Sequence, residues 1–254
     1  MTNGCAYLLV VHGSRSPQYK IYLKQLAAFT QQQLNSEGIV TELATSYLEL
    51  AQESLAQKII DFATICTEKG YSRLKILPLF LFSGTHVLQD IPHELNLARD
   101  FLAHKSTIDV ELLSHLGSDP SIIDLLNKKY QENPSDARIL ITHGTRLSKG
   151  KNEAHQVAQI LDAQLAFWSM NPFFAEIVDR LVQERKKSIA ILPYFLFLGK
   201  ITSAIATQMK ELHKKYPDTE LKIISPLGAT PELAEIIVKQ LTKPLLSPEK
   251  RDTY

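Results

Sequence analysis

The stretch Lys75-Ile76-Leu77-Pro78-Leu79-Phe80-Leu81-Phe82-Ser83-Gly84-Thr85-His86 joins an apolar run to a small polar break and a histidine. The run is long enough for a strand covered on both faces, and Ser83-Gly84 ends it. His86 is then placed just past the carboxyl end of a strand, where open α/β sheets bind their ligands. A second apolar strand, Ala6-Tyr7-Leu8-Leu9-Val10-Val11, is followed at once by His12-Gly13-Ser14-Arg15. Two strand ends therefore offer two imidazoles.

Outward from these strands the pattern alternates. Pro17 opens a helix with apolar residues at Leu23, Leu26, Ala27 and Leu34, and Gly38 is placed to stop it. A strand is expected from Val40 to Leu48, with Glu49 at its end. Leu55, Ile59, Ile60, Ala63 and Cys66 then repeat at helical spacing before Gly70. Asp90 and Pro92 suit the start of a helix running to about Ala103. Ile108 to Leu113 reads as a strand, and Asp119-Pro120 starts a helix through Tyr130.

The same alternation then recurs with matching landmarks. His143-Gly144-Thr145-Arg146 echoes His12-Gly13-Ser14-Arg15, and Leu192 to Gly199 echoes Leu77 to Gly84. Ser225-Pro226-Leu227-Gly228 echoes Ser114-His115-Leu116-Gly117. Three landmarks in one order argue for duplication. Asn133-Pro134-Ser135-Asp136 is the best boundary, which gives an N-terminal lobe at 1–133 and a duplicated lobe at 134–254. The expected fold is α/β: two lobes, each a parallel sheet flanked by helices, facing across a cleft. The charged tail after Thr242 is expected to fray.

Totals narrow the classes. The chain has 254 residues, 44% of them hydrophobic, which suffices for a substantial core. A formal net charge of +1 gives no global argument for nucleic acid or an anionic membrane. Cys5 and Cys66 are too few for a disulfide framework or a cysteine metal cluster. No basic region precedes the first apolar run, and no segment approaches a membrane span. A soluble cytoplasmic protein, monomeric or homodimeric, is the expectation.

His12, Glu49 and His86 each follow a different strand of the first lobe. On neighbouring strands they gather over one edge of one sheet, and two imidazoles with a carboxylate suit a divalent first-row metal. The same groups are candidate proton acceptors. Gly13 and Gly84 beside them leave room for a large flat ligand. In the second copy Ile201 aligns with His86, Lys200 with Thr85 and Met170 with Glu49, so only His143 survives. The first lobe is therefore expected to keep the metal chemistry. Arg15, Arg146, Lys149, Lys151 and Lys200 lie in or near the strand-end loops, where they suit an anionic substrate.

At His12-Gly13-Ser14-Arg15, Tyr47-Leu48-Glu49-Leu50 and Leu77 to His86 the chain resembles the sirohydrochlorin chelatases, the class II chelatases of siroheme and cobalamin synthesis, in their long form with two fused halves. The resemblance spans about residues 5 to 242. It implies insertion of Fe²⁺ or Co²⁺, as metal substrate, into a tetrapyrrole (sirohydrochlorin) without ATP and without a permanently bound cofactor. It also implies that His12 and His86 handle the metal with Glu49. Gly13, Ser14, Arg15, Ser83, Gly84, Thr85, His143, Arg146 and Lys200 are the expected substrate contacts. A histidine-rich stretch found in some members is absent, which favours iron over cobalt.

Other residues have plainer readings. His93, His104, His155 and His213 fall in or beside helices as surface or capping groups, and His115 as a packing residue at a strand end. Phe80, Phe82, Phe195 and Phe197 read as core, and Arg185-Lys186-Lys187 as a solvated helix end. Two other functions compete. A two-lobed protein that binds a metal or an anion without chemistry fits the same cleft. Phosphoryl transfer is disfavoured because no Walker loop or G-x-G-x-x-G fingerprint is present.

Overall fold

The computed structural model describes residues 4–243; the tail from Pro244 onward lies outside the described residues. Strand β1, Cys5–Val11, is buried on both faces, and its alternate side chains feed two different cores. Tyr7, Leu9 and Val11 enter a cluster between the lobes, while Ala6, Leu8 and Val10 enter an outer one. With β2 (Leu43–Tyr47), β3 (Arg73–Pro78) and β4 (Asp109–Leu112) it forms a parallel sheet in the order β2-β1-β3-β4. The second half repeats the arrangement. Its strands β5 (Ala137–Thr142), β6 (Gln164–Phe167), β7 (Ser188–Pro193) and β8 (Glu220–Ile223) run parallel in the order β6-β5-β7-β8.

Among the described residues eight α-helices pack around the sheets: α1 (Pro17–Ser36), α2 (Leu55–Glu68), α3 (Ile91–Leu102), α4 (Pro120–Gln131), α5 (Ser148–Ile160), α6 (Phe174–Gln183), α7 (Lys200–Lys215) and α8 (Pro231–Thr242). Gly38 and Gly70 follow α1 and α2 at φ 74° and 85°, the left-handed conformation that closes a helix. The side chain of Asp119 caps α4, accepting from the Ser121 backbone N–H at 3.0 Å. Helices α2 and α3 cover the outer face of the first sheet, and α6 and α7 that of the second. Between the sheets lie α1, α4, α5 and α8, so one apolar cluster is shared by both halves. Among the described residues no helix is long and apolar enough to cross a membrane.

The last described helix crosses from the second half to the first. Helix α8 packs along α1, and its carboxyl end is fixed to the first lobe. Buried Lys75 on β3 donates to the carbonyls of Leu241 at 2.9 Å and Lys243 at 3.2 Å, supplying partners that a helix end otherwise lacks. Gln240 donates to the Ser114 carbonyl at 2.8 Å, and Lys243 meets Asp119 at 2.6 Å. Helix α4 leans the opposite way. The Tyr130 hydroxyl donates to the Ile139 carbonyl on β5 at 2.8 Å, and Lys129 donates to the Ser225 carbonyl at 3.3 Å.

Several expected boundaries shift. The strand expected over 40–48 covers only Leu43–Tyr47, with Val40 88% exposed. Strand β3 ends at Pro78, well before the apolar run does. Beyond it Leu79, Leu81 and Phe82 leave the sheet and pack against the cluster between the lobes, which is why the run stays apolar. The helix expected from Asp90 is preceded by a π-helical turn, His86–Asp90, continuous with α3. His86 therefore sits at a helix start reached by a packed loop, several residues beyond its strand.

Candidate metal centre

Strand order places three side chains on one rim. β1 lies between β2 and β3, so the chain reverses its direction of travel across the sheet beside β1, the switch point where open sheets form a ligand crevice. His12 follows β1, Glu49 follows β2, and His86 opens the turn after β3. Parallel pairing continues past β1 and β2: Leu48 donates to the Val11 carbonyl at 2.8 Å and Glu49 to the His12 carbonyl at 2.9 Å. This extension requires Gly13. It adopts φ 114°, and a Cβ there would lie 2.1 Å from the Glu49 carbonyl oxygen. The space at Gly13 is thus occupied by the neighbouring backbone and not by a ligand, whereas Gly84 has open space where a Cβ would stand.

One donor atom from each of His12, Glu49 and His86 lies within 4.8 Å of the other two. Metal–nitrogen and metal–oxygen bonds of about 2.0–2.2 Å allow opposite donors to stand at most about 4.4 Å apart, so a contraction of a few tenths of an ångström closes the set on an ion. His12 Nε2 is 3.8 Å from Glu49, and His86 Nδ1 is 3.9 Å from its other oxygen. The two imidazoles meet edge to face with centroids 4.6 Å apart, and Phe80 packs beside both at 6.4 and 6.0 Å. Asp90 accepts from His86 Nδ1 at 2.7 Å, which leaves Nε2 of that ring with its lone pair for a metal. The side chains of His12 and Glu49 are 47% and 49% exposed. Three protein donors in an open position leave coordination sites for exchange, unlike a closed structural site.

The other expected contacts fall in three places. Ser14, Arg15 and Thr85 sit in the loops around the triad, with Arg15 and Thr85 exposed. His143, Arg146 and Lys200 are exposed at the corresponding strand ends of the second sheet. Ser83 is not brought to the rim. It is 3% exposed, and its hydroxyl donates to Glu153 Oε1 at 2.6 Å and lies 3.2 Å from His115 Nε2. His143 keeps the ring contact of His12, with Nδ1 3.2 Å from the Gly144 carbonyl. The residue matching Glu49 is Ser169, not Met170. Ser169 donates to the His143 carbonyl at 3.1 Å just as Glu49 donates to that of His12. Ile201, aligned with His86, packs against the outer core of the second lobe.

His93, His104, His155 and His213 are exposed on helices or helix ends. Arg185, Lys186, Lys187 and Lys215 line a cavity of about 390 Å³ at the amino ends of β7 and β8, the rim opposite His143 and Lys200. Asp90, hydrogen-bonded to His86, was missed at this site by the sequence reading; it had a signal, since it lies four residues beyond His86 on one helical face.

Two parallel sheets of one topology, with a half-exposed His-Glu-His triad at one switch point, define a duplicated α/β protein with an open candidate metal centre. A family model described as CbiX matches residues 6–133 and 137–243. The chain belongs to this family, the sirohydrochlorin chelatases, in the long two-lobed form. It is 27% identical to the sirohydrochlorin ferrochelatase of Priestia megaterium over 95% of this chain and 91% of that one. It is 22% identical to the sirohydrochlorin cobaltochelatase of the same organism, over 91% of this chain and 76% of that one. The solved structure of SirB from Bacillus subtilis with Fe³⁺ superposes with a TM-score of 0.76 at 21% identity, covering 94% of both chains, and so shares the fold.

Proposed function

We propose that the protein inserts Fe²⁺ into sirohydrochlorin to form siroheme, without ATP. The observation that carries this reading is the open triad of His12, Glu49 and His86 at the β1/β3 switch point. Insertion releases the two pyrrole N–H protons as the metal bonds to the four ring nitrogens, so the site must present a metal loosely and accept protons beside it. His12 and His86 hold the ion through imidazole nitrogens, and Asp90 orients His86. Glu49, within 4 Å of both rings, is placed to take protons as the metal–nitrogen bonds form. Arg15, Thr85, Arg146 and Lys200, exposed in strand-end loops, are assigned to the substrate carboxylates. The chain divides at 133/134 into the metal-bearing lobe and a lobe that supplies the other wall.

The iron reading rests on the absence of a histidine-rich stretch and on the ferrochelatase relative, which the chain matches over 91% of its length. The cobalt reading rests on the cobaltochelatase relative. Anaerobic incubation with sirohydrochlorin and each metal in turn, followed by absorbance, separates them. Faster turnover with Fe²⁺ is expected, and faster turnover with Co²⁺ replaces the reading with its alternative. Binding without any spectral change of the tetrapyrrole, or His12→Ala and His86→Ala variants that insert metal at the unaltered rate, would sink the chelatase proposal.

A further inference from the structure

Ser83 lies three residues before His86, on the loop that carries this metal ligand away from β3, and the second lobe grips it there. Glu153 on α5 accepts from both the backbone N–H and the hydroxyl of Ser83, each at 2.6 Å. Gly150, one turn earlier on α5, brings the helix so close that a Cβ would lie 2.5 Å from the Ser83 carbonyl oxygen. The first lobe holds the same loop from the other side. His115 Nδ1 donates to the Phe80 carbonyl at 3.1 Å, and the Gly117 N–H donates to the same oxygen at 2.9 Å. His115 is 6% exposed, and burial lowers its pKa. The Lys149 ammonium acts the same way, while Glu153 and the Phe80 carbonyl oppose them. Phe80, fixed by its carbonyl, presents its ring to His12 and His86.

The duplicated half supplies an internal comparison. The offset of 131 that relates His12 to His143 also relates Tyr19 to Gly150 and Tyr22 to Glu153. In the mirrored contact Tyr19 and Tyr22 of α1 pack on Phe197, in the loop after β7, with centroids at 5.1 and 5.6 Å. That loop leads to Ile201, which cannot bind metal. An aromatic contact therefore serves the half without a metal ligand, and a carboxylate clamp serves the half with one.

We propose that Glu153 is a positioning residue: through Ser83 it lets the second lobe fix the loop that delivers His86 to the metal. The proposal rests on the metal-site reading above. Its test uses the full chain and Co²⁺ alone, titrated by visible absorption. Wild type is compared with Glu153→Gln, Glu153→Ala, Tyr22→Leu and His12→Ala, with hydrogen exchange of amides 83–90 followed in the metal-free proteins. The Glu153 variants are expected to bind Co²⁺ roughly tenfold more weakly, in the range typical for groups behind a metal ligand, and to exchange faster at 83–90. Tyr22→Leu, which weakens the mirrored contact, should leave both readouts within twofold of wild type. Unchanged exchange and affinity in the Glu153 variants, or equal losses in Tyr22→Leu, would overturn the positioning role. Faster exchange in the Glu153 variants alongside a His12→Ala variant that still binds Co²⁺ normally would uphold the clamp and refute the metal site.

Discussion

At the scale of residues, the rim depends on a contact that a single methyl group destroys. Gly13→Ala places a Cβ against the Glu49 carbonyl and forces a non-glycine residue to φ 114°. Strain of this kind costs about 1–3 kcal/mol, and the variant should show a lowered urea midpoint together with weakened metal binding. Asp90→Asn exchanges the carboxylate behind His86 for an amide without altering its size. A 10- to 100-fold loss of Co²⁺ affinity with an unchanged urea midpoint is expected; unaltered affinity would remove Asp90 from the site. The gathering of His12, Glu49 and His86 was readable, because each follows a different strand of the first lobe, His86 by way of the apolar run beyond β3. The Ser169 equivalence was not, since gaps let Met170 align until strand register fixed the pairing. Ser83 misled for a different reason: a serine beside a glycine reads as loop surface, yet its partner Glu153 lies 70 positions away.

At the scale of elements, helix ends that meet across the lobes carry a pH dependence. Burial raises the pKa of the Asp119 carboxyl, but the Lys243 ammonium and the Ser121 N–H outweigh it and hold the group below its ordinary 3.8. The unfolded chain then takes up this proton before the folded one. The contribution is complete above about pH 4 and is lost as the pH falls through the depressed value. Asp119→Asn keeps a capping oxygen but loses the ion pair. It should cost about 1 kcal/mol at neutral pH, since Lys243 is more than half exposed, and flatten the acid limb of a stability curve measured in urea. Most elements were legible because glycine stops, Asp-Pro starts and apolar periods are local signals. The end of β3 was not. Leu79, Leu81 and Phe82 are apolar for packing between lobes, and periodicity cannot separate that from burial in a sheet.

At the scale of the whole molecule, the duplication and parallel sheets were written in repeated landmarks, whereas the crossing of α8 onto α1 was not, because nothing in a helix names its host. The crossing of α8 and the apolar cluster shared by both halves predict that they unfold as one cooperative unit. A fragment ending at residue 133 lacks α8 and exposes Leu23, Leu26 and Leu34 of α1, which are buried in the intact chain. It should fail to show a cooperative urea transition, while the full chain unfolds in one step followed identically by tryptophan fluorescence and circular dichroism. Two separated transitions in the full chain would contradict this.

Crossing of α8 onto α1 also sets a timetable for synthesis on the ribosome. The histidines and the glutamate emerge early, but the helix that seals their sheet emerges after every strand has been made. A nascent chain stalled before Pro231 therefore already carries the metal donors while its first lobe remains unsealed. Protease should cut α1 in such stalled chains and spare it once α8 is released.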